Sequence, residues 1–189
     1  MENDNTLFWD LLEKEYEMIK AYCYKLTDNI VNGDDLLQNS ILKAQEHFGD
    51  LRQTDKFRFW LYKIIGNSYK ASFRTPWWKK VLPLSEEIEN NFQTTNPSSY
   101  YDAKRKLQIA FEVLSPDEHV LITLFELEGW KIGEISNMTG KSEGSVKMSL
   151  TRARAKMRKR LSRLIQQIPN RQNSKKAREL CFASKPEKD

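Results

Sequence analysis

The chain has 189 residues, of which 39% are apolar and 30% charged, so it is long enough for one or two small packed domains. It contains no apolar run of about 18 residues, and its first six residues lack the basic and apolar segments of a secretory signal. We therefore expect a cytoplasmic protein without membrane insertion. Cys23 and Cys181 have no CxxC or Cys/His neighbourhood, so neither a metal site nor a cofactor is predicted.

The net charge of +5 is very unevenly distributed along the chain. Residues 1–50 carry a net charge of −7, residues 51–80 a net charge of +7, and residues 141–178 a net charge of +12. Two separated basic blocks indicate two contacts with a polyanion. The acidic first fifty residues need a different partner, or face only solvent.

Apolar spacing predicts three amphipathic helices in the first part of the chain. The first runs from about Leu7 to Leu26, the second from Asp34 to Gly49, and the third from Lys56 to Phe73. Residues 29–33, which include Gly33, are interpreted as a break between the first two. Three such helices this close in sequence should pack as a small bundle, which defines an amino-terminal domain over residues 7–75.

A change in composition separates this bundle from a second helical domain. Thr75-Pro76 ends the third helix, and the polar residues around Pro83 and Pro97 predict a flexible linker over residues 76–103. The second domain covers residues 104–168, and the basic tail over 169–189 is predicted to be disordered alone. The sequence therefore predicts an all-α fold of two small helical domains.

The strongest motif is a helix-turn-helix over residues 134–146. Ser136 is the small residue needed where two helices touch, and Gly140, four positions later, tolerates the positive φ of the turn. The helix that follows is capped by Ser142 and exposes polar and basic side chains. Those near its start are suited to base edges in the major groove, and those further along are suited to phosphates. A solvated basic face is the alternative interpretation. The candidate DNA-binding residues are Ser145, Lys147, Met148, Thr151, Arg152 and Arg154.

Residues 51–80 mix basic and aromatic side chains. Cations can bind phosphates while aromatic faces hold the unstacked bases of single-stranded DNA. Most of these aromatic residues could instead form the core, an explanation that fits Trp77 and Trp78, beside two lysines, least well. Asn67 is polar among apolar turns, so it is either an exposed polar residue or a reader of a base edge.

Taken together, these residues resemble an extracytoplasmic-function sigma factor, a bacterial RNA polymerase subunit. The resemblance covers residues 7–164, and the order and spacing of its pieces make it specific. It is carried by Asp35-Leu36-Leu37-Gln38, Phe57, Trp60-Leu61, Ile64, Asn67, Arg74, Leu114-Ser115-Pro116, Glu128-Gly129, Glu134-Ile135, Gly144-Ser145-Val146-Lys147, Leu150 and Arg152-Ala153-Arg154.

The resemblance implies a non-catalytic subunit that binds core RNA polymerase and directs promoter-specific transcription initiation. Asp35 and Gln38 would dock on the clamp helices of the largest polymerase subunit, and the flap region would be a further contact. An anti-sigma factor, common in the family, is another candidate partner. The linker would thread toward the active-site channel.

The resemblance also implies how promoter DNA is divided between the two domains. The loop Leu51–Arg58 and Asn67 would capture a flipped base of the melted element near minus ten. Lys147, Met148, Thr151 and Arg152 match the positions that read the distal element, near minus thirty-five. The residues expected to bind the melted element are Phe57, Arg58, Lys63, Asn67, Lys70 and Arg74.

Three departures from the family pattern affect these expectations. The family often has Asp or Asn at the position of Ala71, so a melting contact is expected to differ there. It often has Ser-Arg where Met148-Ser149 stand, which leaves the distal DNA sequence open. The basic segment over residues 171–178 has no counterpart in the minimal pattern.

Two other classes of protein are alternative interpretations of this sequence. A stand-alone helix-turn-helix regulator with a helical sensor domain would bind its operator without polymerase. An enzyme acting on DNA would need an activated nucleophile or a carboxylate metal cluster. Asp34 and Asp35 are adjacent and diverge on a helix, and His47 and His119 have no obvious partners, so no enzyme is predicted.

Overall fold

All regular structure in the described residues, 2–27, 30–74 and 99–167 of a computed structural model, is helical, which confirms the predicted all-α fold. Among these residues no helix is long and apolar enough to cross a membrane. Short 3-10 turns over Phe48–Asp50 and Thr54–Lys56 precede the third helix, and a π-helical turn covers Thr123–Leu127. The α-helices are α1 (Glu2–Thr27), α2 (Ile30–Glu46), α3 (Phe57–Ser72), α4 (Ser99–Phe111), α5 (Pro116–Ile122), α6 (Ile132–Thr139) and α7 (Glu143–Gln167).

Several sequence predictions concern residues outside the described ranges. These are the linker over residues 76–98, the tail over 169–189, the Trp77-Trp78 pair and Cys181. The last predicted linker residues, 99–103, belong to α4.

The start of α2 corrects one prediction. The helix begins at Ile30, so Gly33 lies inside it rather than in a break before Asp34. A Cβ atom at position 33 would clash with the ring of Tyr24 on α1, and the Tyr24 hydroxyl donates to Asp34 Oδ1 at 2.6 Å. Glycine is used here because it allows two helices to approach closely, not because it ends a helix.

The amino-terminal bundle packs around the apolar faces predicted for α1, α2 and α3. Phe8, Ile19, Leu37, Leu61 and Ile65 are all 3% exposed or less. Burying such a side chain contributes roughly 1.5–3 kcal/mol, so this stripe is what holds the three helices together.

The carboxy-terminal half is organised by strong local signals. Ser115 caps α5 in a capping box with Glu118, and Pro116 occupies the first turn. The π-helical turn then widens the helix, and Gly129, at φ +72°, leads the chain away. Glu128 is thereby left at the helix end, next to the amino-terminal bundle.

The two halves share one continuous core, a contact that no sequence pattern predicted. Tyr62 of α3 stacks on Tyr22 of α1 with ring centroids 4.7 Å apart, and its other neighbour is Trp130, at 5.1 Å. On α3, Gly66 lies against Val120 of α5, where a Cβ would come within 3.4 Å of the Val120 Cγ1 atom. The amino-terminal and carboxy-terminal domains therefore pack directly on each other.

Among the polar groups that cross this interdomain contact, two are largely buried. The Glu128 carboxylate, 7% exposed, accepts hydrogen bonds from Lys25 Nζ at 2.7 Å and from the Tyr62 hydroxyl at 2.8 Å. Burial and the bond to Glu128 raise the pKa of Tyr62, so it remains a neutral donor. The second group is the buried pair of Tyr69 and His119, whose hydroxyl and Nδ1 atoms lie 2.8 Å apart.

The buried His119 makes stability depend on pH. Burial lowers the pKa of His119 from 6.5 to about 4, so between these values the unfolded chain binds a proton that the folded chain does not. The free energy of unfolding should therefore fall as the pH drops from 6.5 toward 4, by on the order of 3 kcal/mol from this group. Urea unfolding measures the difference in the free energy of unfolding between wild type and His119→Gln. This difference should narrow by about 2 kcal/mol as the pH falls from 6.5 to 5.

The exposed His47 provides the control for this prediction. His47→Asn removes an exposed imidazole, so comparing it with His119→Gln shows whether the pH dependence requires the buried position. If the difference in the free energy of unfolding between wild type and His119→Gln stays constant with pH, the pH dependence does not come from His119.

Candidate nucleic-acid interface

The helix-turn-helix is built as its sequence predicts. Gly140 has φ +69° and donates its N–H to the Ser136 carbonyl at 2.9 Å. The Ser136 hydroxyl donates to the Lys141 carbonyl at 2.6 Å, which fixes the turn between α6 and α7. Ser142 accepts from the Ser145 N–H at 3.3 Å and so caps α7. Buried Ile135, Met138, Val146 and Leu150 join the two helices.

The first three turns of α7 present a continuous exposed face. Arg152 makes no ion pair with any described residue, and Lys147 has only a loose pair with Glu143 at 3.8 Å, one helical turn away. A positive face of this kind on the second helix can enter the major groove. The exposed residues of this face are Ser145, Lys147, Met148, Thr151 and Arg152.

Other cations of α7 pair with carboxylates of the same chain. Arg154 donates to Glu126 through Nε at 2.8 Å and lies 5.3 Å over the Phe125 ring, so its guanidinium is paired at the surface, and its DNA contact stays a prediction. Lys156 pairs with Glu118 at 2.7 Å, and hydrogen bonds from Lys156 and Ser115 lower the pKa of that carboxyl although its burial opposes the shift. These pairs divide the basic block into cations that hold α7 in place and cations that face solvent.

The carboxy-terminal part of α3 and the end of α2 form a basic groove. It encloses about 450 Å³, and Asn67 and Arg74 line it with exposed side chains. Asn67 can donate and accept hydrogen bonds on a base edge, while the cations can neutralise phosphates. The residues that line the groove are Lys43, His47, Ile64, Asn67, Ser68, Lys70, Ala71 and Arg74.

Lys43 and His47 are members of the groove that sequence reasoning missed. They lie one turn apart at the end of α2, and Lys43 Nζ donates to Ser68 on α3 at 3.3 Å. The available signal was their i,i+4 spacing next to the basic helix that follows.

Lys63 is exposed on α3 outside the groove lining, and Lys70 lies 4.0 Å from Asp117 of α5. Burial lowers the pKa of Lys70.

Two of the candidate residues do not face the groove. Phe57 is 2% exposed and packs edge-on against Phe8, with ring centroids 5.9 Å apart, so it positions the preceding loop and cannot stack on a base from there. Arg58 lies 5.4 Å over the ring of Trp130 and pairs with Glu15 at 3.6 Å. In this arrangement both side chains contact other residues of the protein, and the DNA contact expected of each stays a prediction.

A second exposed surface lies along α2. Asp35 and Gln38 are exposed, and they are flanked by Val31 and Leu42, which are 66% and 58% exposed. Spacings of four, three and four residues place all of them on one helix face. The four residues form a stripe of mixed apolar and polar character, whose apolar members the sequence pattern did not indicate.

Comparison with protein families matches both halves of the chain. Residues 11–79 match the family described as sigma-70 region 2, and residues 104–157 match the family described as sigma-70, region 4. The first match contains α2, α3 and the basic groove, and the second contains the helix-turn-helix.

Individual relatives agree with these matches. The chain is 24% identical over 157 residues to the RNA polymerase sigma factor CarQ of Myxococcus xanthus, covering 83% of this chain and 90% of that protein. It is also 24% identical over 162 residues to the ECF RNA polymerase sigma factor SigM of Mycobacterium tuberculosis, covering 86% of this chain and 79% of that protein.

Solved structures share the fold. The sigma factor RpoE of Bartonella quintana, solved with the anti-sigma factor NepR, has a TM-score of 0.60 at 20% identity, covering 82% of this chain and 96% of that one. CnrH, solved with the cytosolic domain of CnrY, has a TM-score of 0.57 at 19% identity, covering 84% and 87%.

Proposed function

Because the chain belongs to the sigma-70 family and is an RNA polymerase sigma factor of the extracytoplasmic-function type, we propose which of its surfaces bind polymerase and promoter. The observation that carries this assignment is the pairing of an exposed reading helix, α7, with a separate basic groove beside α3. One surface suits duplex DNA and the other suits unpaired strand.

In this proposal α7 sets the register on the distal element near minus thirty-five. Lys147 and Arg152 reach into the major groove, and Arg158, further along the helix, neutralises phosphate. Arg154 supports the reading helix through Glu126 and contacts DNA only if that pair is released.

The basic groove holds the strand that becomes unpaired near minus ten. Asn67 reads the edge of an extruded base, while Lys63, Lys70 and Arg74, together with Lys43, hold the nearby backbone. These cations come from two helices, so the groove is positioned by the packed bundle rather than by one segment alone.

The interdomain contact must open before both elements are bound. Asp117 lies 4.0 Å from Lys70 Nζ in the groove and 3.5 Å from Lys141 Nζ in the helix-turn-helix, so the two DNA-binding surfaces almost meet. Elements near minus ten and minus thirty-five are about 25 base pairs, or roughly 85 Å, apart on B-DNA. Residues 76–98 connect the two domains and serve as the tether between them.

The stripe on α2 formed by Val31, Asp35, Gln38 and Leu42 docks on the clamp helices of the largest polymerase subunit, and the flap is a further contact. A segment of an anti-sigma factor would insert into the cleft of about 570 Å³ between α2 and α4 and hold the interdomain contact closed. The chain acts in the cytoplasm and supplies promoter recognition, while polymerase supplies all of the catalytic chemistry.

A gel-shift experiment with a two-element promoter tests this function against a stand-alone regulator. We expect a stable, heparin-resistant complex only when the chain and core polymerase are both present. A regulator would instead give tight, sequence-specific binding without polymerase, and core enzyme would not change its affinity.

Asn67→Ala should weaken promoter opening about tenfold, because loss of a base-edge contact costs roughly 1–3 kcal/mol. Duplex binding should hardly change, since the distal element is held by α7. The measurement compares initiation from a closed template with initiation from one that is unpaired around minus ten. Asn137→Ala on α6, another exposed asparagine, is the matched control and should behave as wild type on both. An equal loss on the two templates would remove the proposed role of Asn67.

A further inference from the structure

Met148 is an unusual residue for the face on which it lies. It is 54% exposed in the second turn of α7, between Lys147 and Arg152 on an otherwise polar and basic surface. The packing of the helix is provided by the buried Val146 and Leu150, so Met148 is not needed for the fold. An exposed apolar side chain alone is ordinary, and its meaning depends on its neighbours.

Thr151 supplies the second observation. It lies three residues after Met148, which places the two side chains next to each other on the helix surface. Its hydroxyl donates to the Lys147 carbonyl at 3.0 Å. The hydrogen that could have donated to a base acceptor is thereby used within the helix, so the methyl group of this exposed residue is left for an apolar contact.

The reading face thus combines an apolar pair with a guanidinium group. Arg152 follows Met148 by four residues, which is one turn and about 6 Å along the helix axis. Base pairs are about 3.4 Å apart, so the two side chains address positions within about two base pairs of each other. In the major groove the 5-methyl group of thymine is the apolar feature that a base pair presents, and guanine is the base that arginine reads with two hydrogen bonds.

We infer that Met148 and Thr151 recognise the 5-methyl group of a thymine in the distal promoter element, within about two base pairs of a guanine read by Arg152. This inference rests on the proposed function and adds the base chemistry that α7 selects. It gives Met148 a specificity-determining role through contact with the thymine methyl, which a polar side chain at this position could not fill as well.

The experiment uses the chain bound to core polymerase. Distal elements are first selected from a random promoter library, and each thymine on either strand is then replaced by deoxyuridine, which removes only the methyl group. Wild type should lose roughly fourfold in binding at one position, as expected for a buried methyl group of about 0.8 kcal/mol. Met148→Ala should bind both templates equally, with the lower affinity that wild type has for the deoxyuridine template. Met148→Leu should retain the preference for thymine over deoxyuridine.

Arg158→Ala is the matched control, because it should weaken binding to all templates and keep the thymine–deoxyuridine difference. The inference is overturned if no selected thymine responds to the replacement, or if the difference persists in Met148→Ala. An equal loss of transcription by Met148→Ala on both templates would instead indicate a protein contact, which also overturns it. Failure to form a complex on any selected promoter would contradict the proposed function itself.

Discussion

Replacing Arg152 with alanine is expected to weaken binding to the cognate promoter about 5- to 150-fold, since a good bidentate base contact is worth roughly 1–3 kcal/mol. The side chain is exposed on α7 and makes no ion pair with a described residue, so its removal leaves the protein intact. The loss should therefore be a loss of recognition and not of folding. It is measured as binding by the chain with core polymerase across all substitutions of the distal element.

The comparison with Arg158→Ala separates the recognition of a base from the neutralisation of phosphate charge. Arg158 lies further along the exposed side of α7, where we propose that it meets the DNA backbone rather than bases. Arg158→Ala should lower affinity by a similar factor for every sequence and reduce the salt dependence of binding. Arg152→Ala should in addition lose its preference at one base position. If both variants reduce affinity uniformly, Arg152 only neutralises phosphate.

Replacing Glu128 with alanine should lower the free energy of unfolding by about 1–3 kcal/mol, because the buried Tyr62 hydroxyl loses its acceptor. The Lys25 ammonium contributes less to this loss, since its side chain is 39% exposed and water can solvate it. Urea unfolding measures the total effect, and hydrogen exchange in α3 and α5 shows whether the interdomain contact loosens first.

Two variants make this test specific. Tyr62→Phe keeps the stacking on Tyr22 and removes only the hydroxyl, so it should cost about 1 kcal/mol. Glu126→Ala is the control, because that carboxylate lies only two residues before Glu128 but pairs with Arg154 at the surface. Its loss should stay within about 0.5 kcal/mol. A Glu128→Ala variant as stable as Glu126→Ala would show that the interdomain contact contributes little.

The helices and the helix-turn-helix could be predicted because their signals are local. The capping box at Ser115, the turn glycine at Gly140 and the apolar stripe of α7 each depend on a few neighbouring residues. Gly33 could not be interpreted correctly, because its role depends on Tyr24, which approaches it from another helix. The same limit explains why the interdomain contact was missed: Tyr62, Glu128 and Trp130 are far apart in sequence and follow no period.

The candidate interface was predictable as a surface but not residue by residue. Composition places many cations on α7, but it cannot tell Arg154, which pairs with Glu126, from Arg152, which faces solvent. Nor can it tell Phe57, which fills the core, from an aromatic residue available to a base. Such distinctions depend on which partner each side chain meets after folding.

Multi-round run-off transcription with core RNA polymerase, on promoters chosen from a randomised library by the chain itself, tests the central claim most directly. We predict transcripts from one defined start site that require the chain, core enzyme and both promoter elements, and that vanish when either element is scrambled. The account is contradicted if the chain fails to associate with core polymerase, or if start sites are the same with and without it.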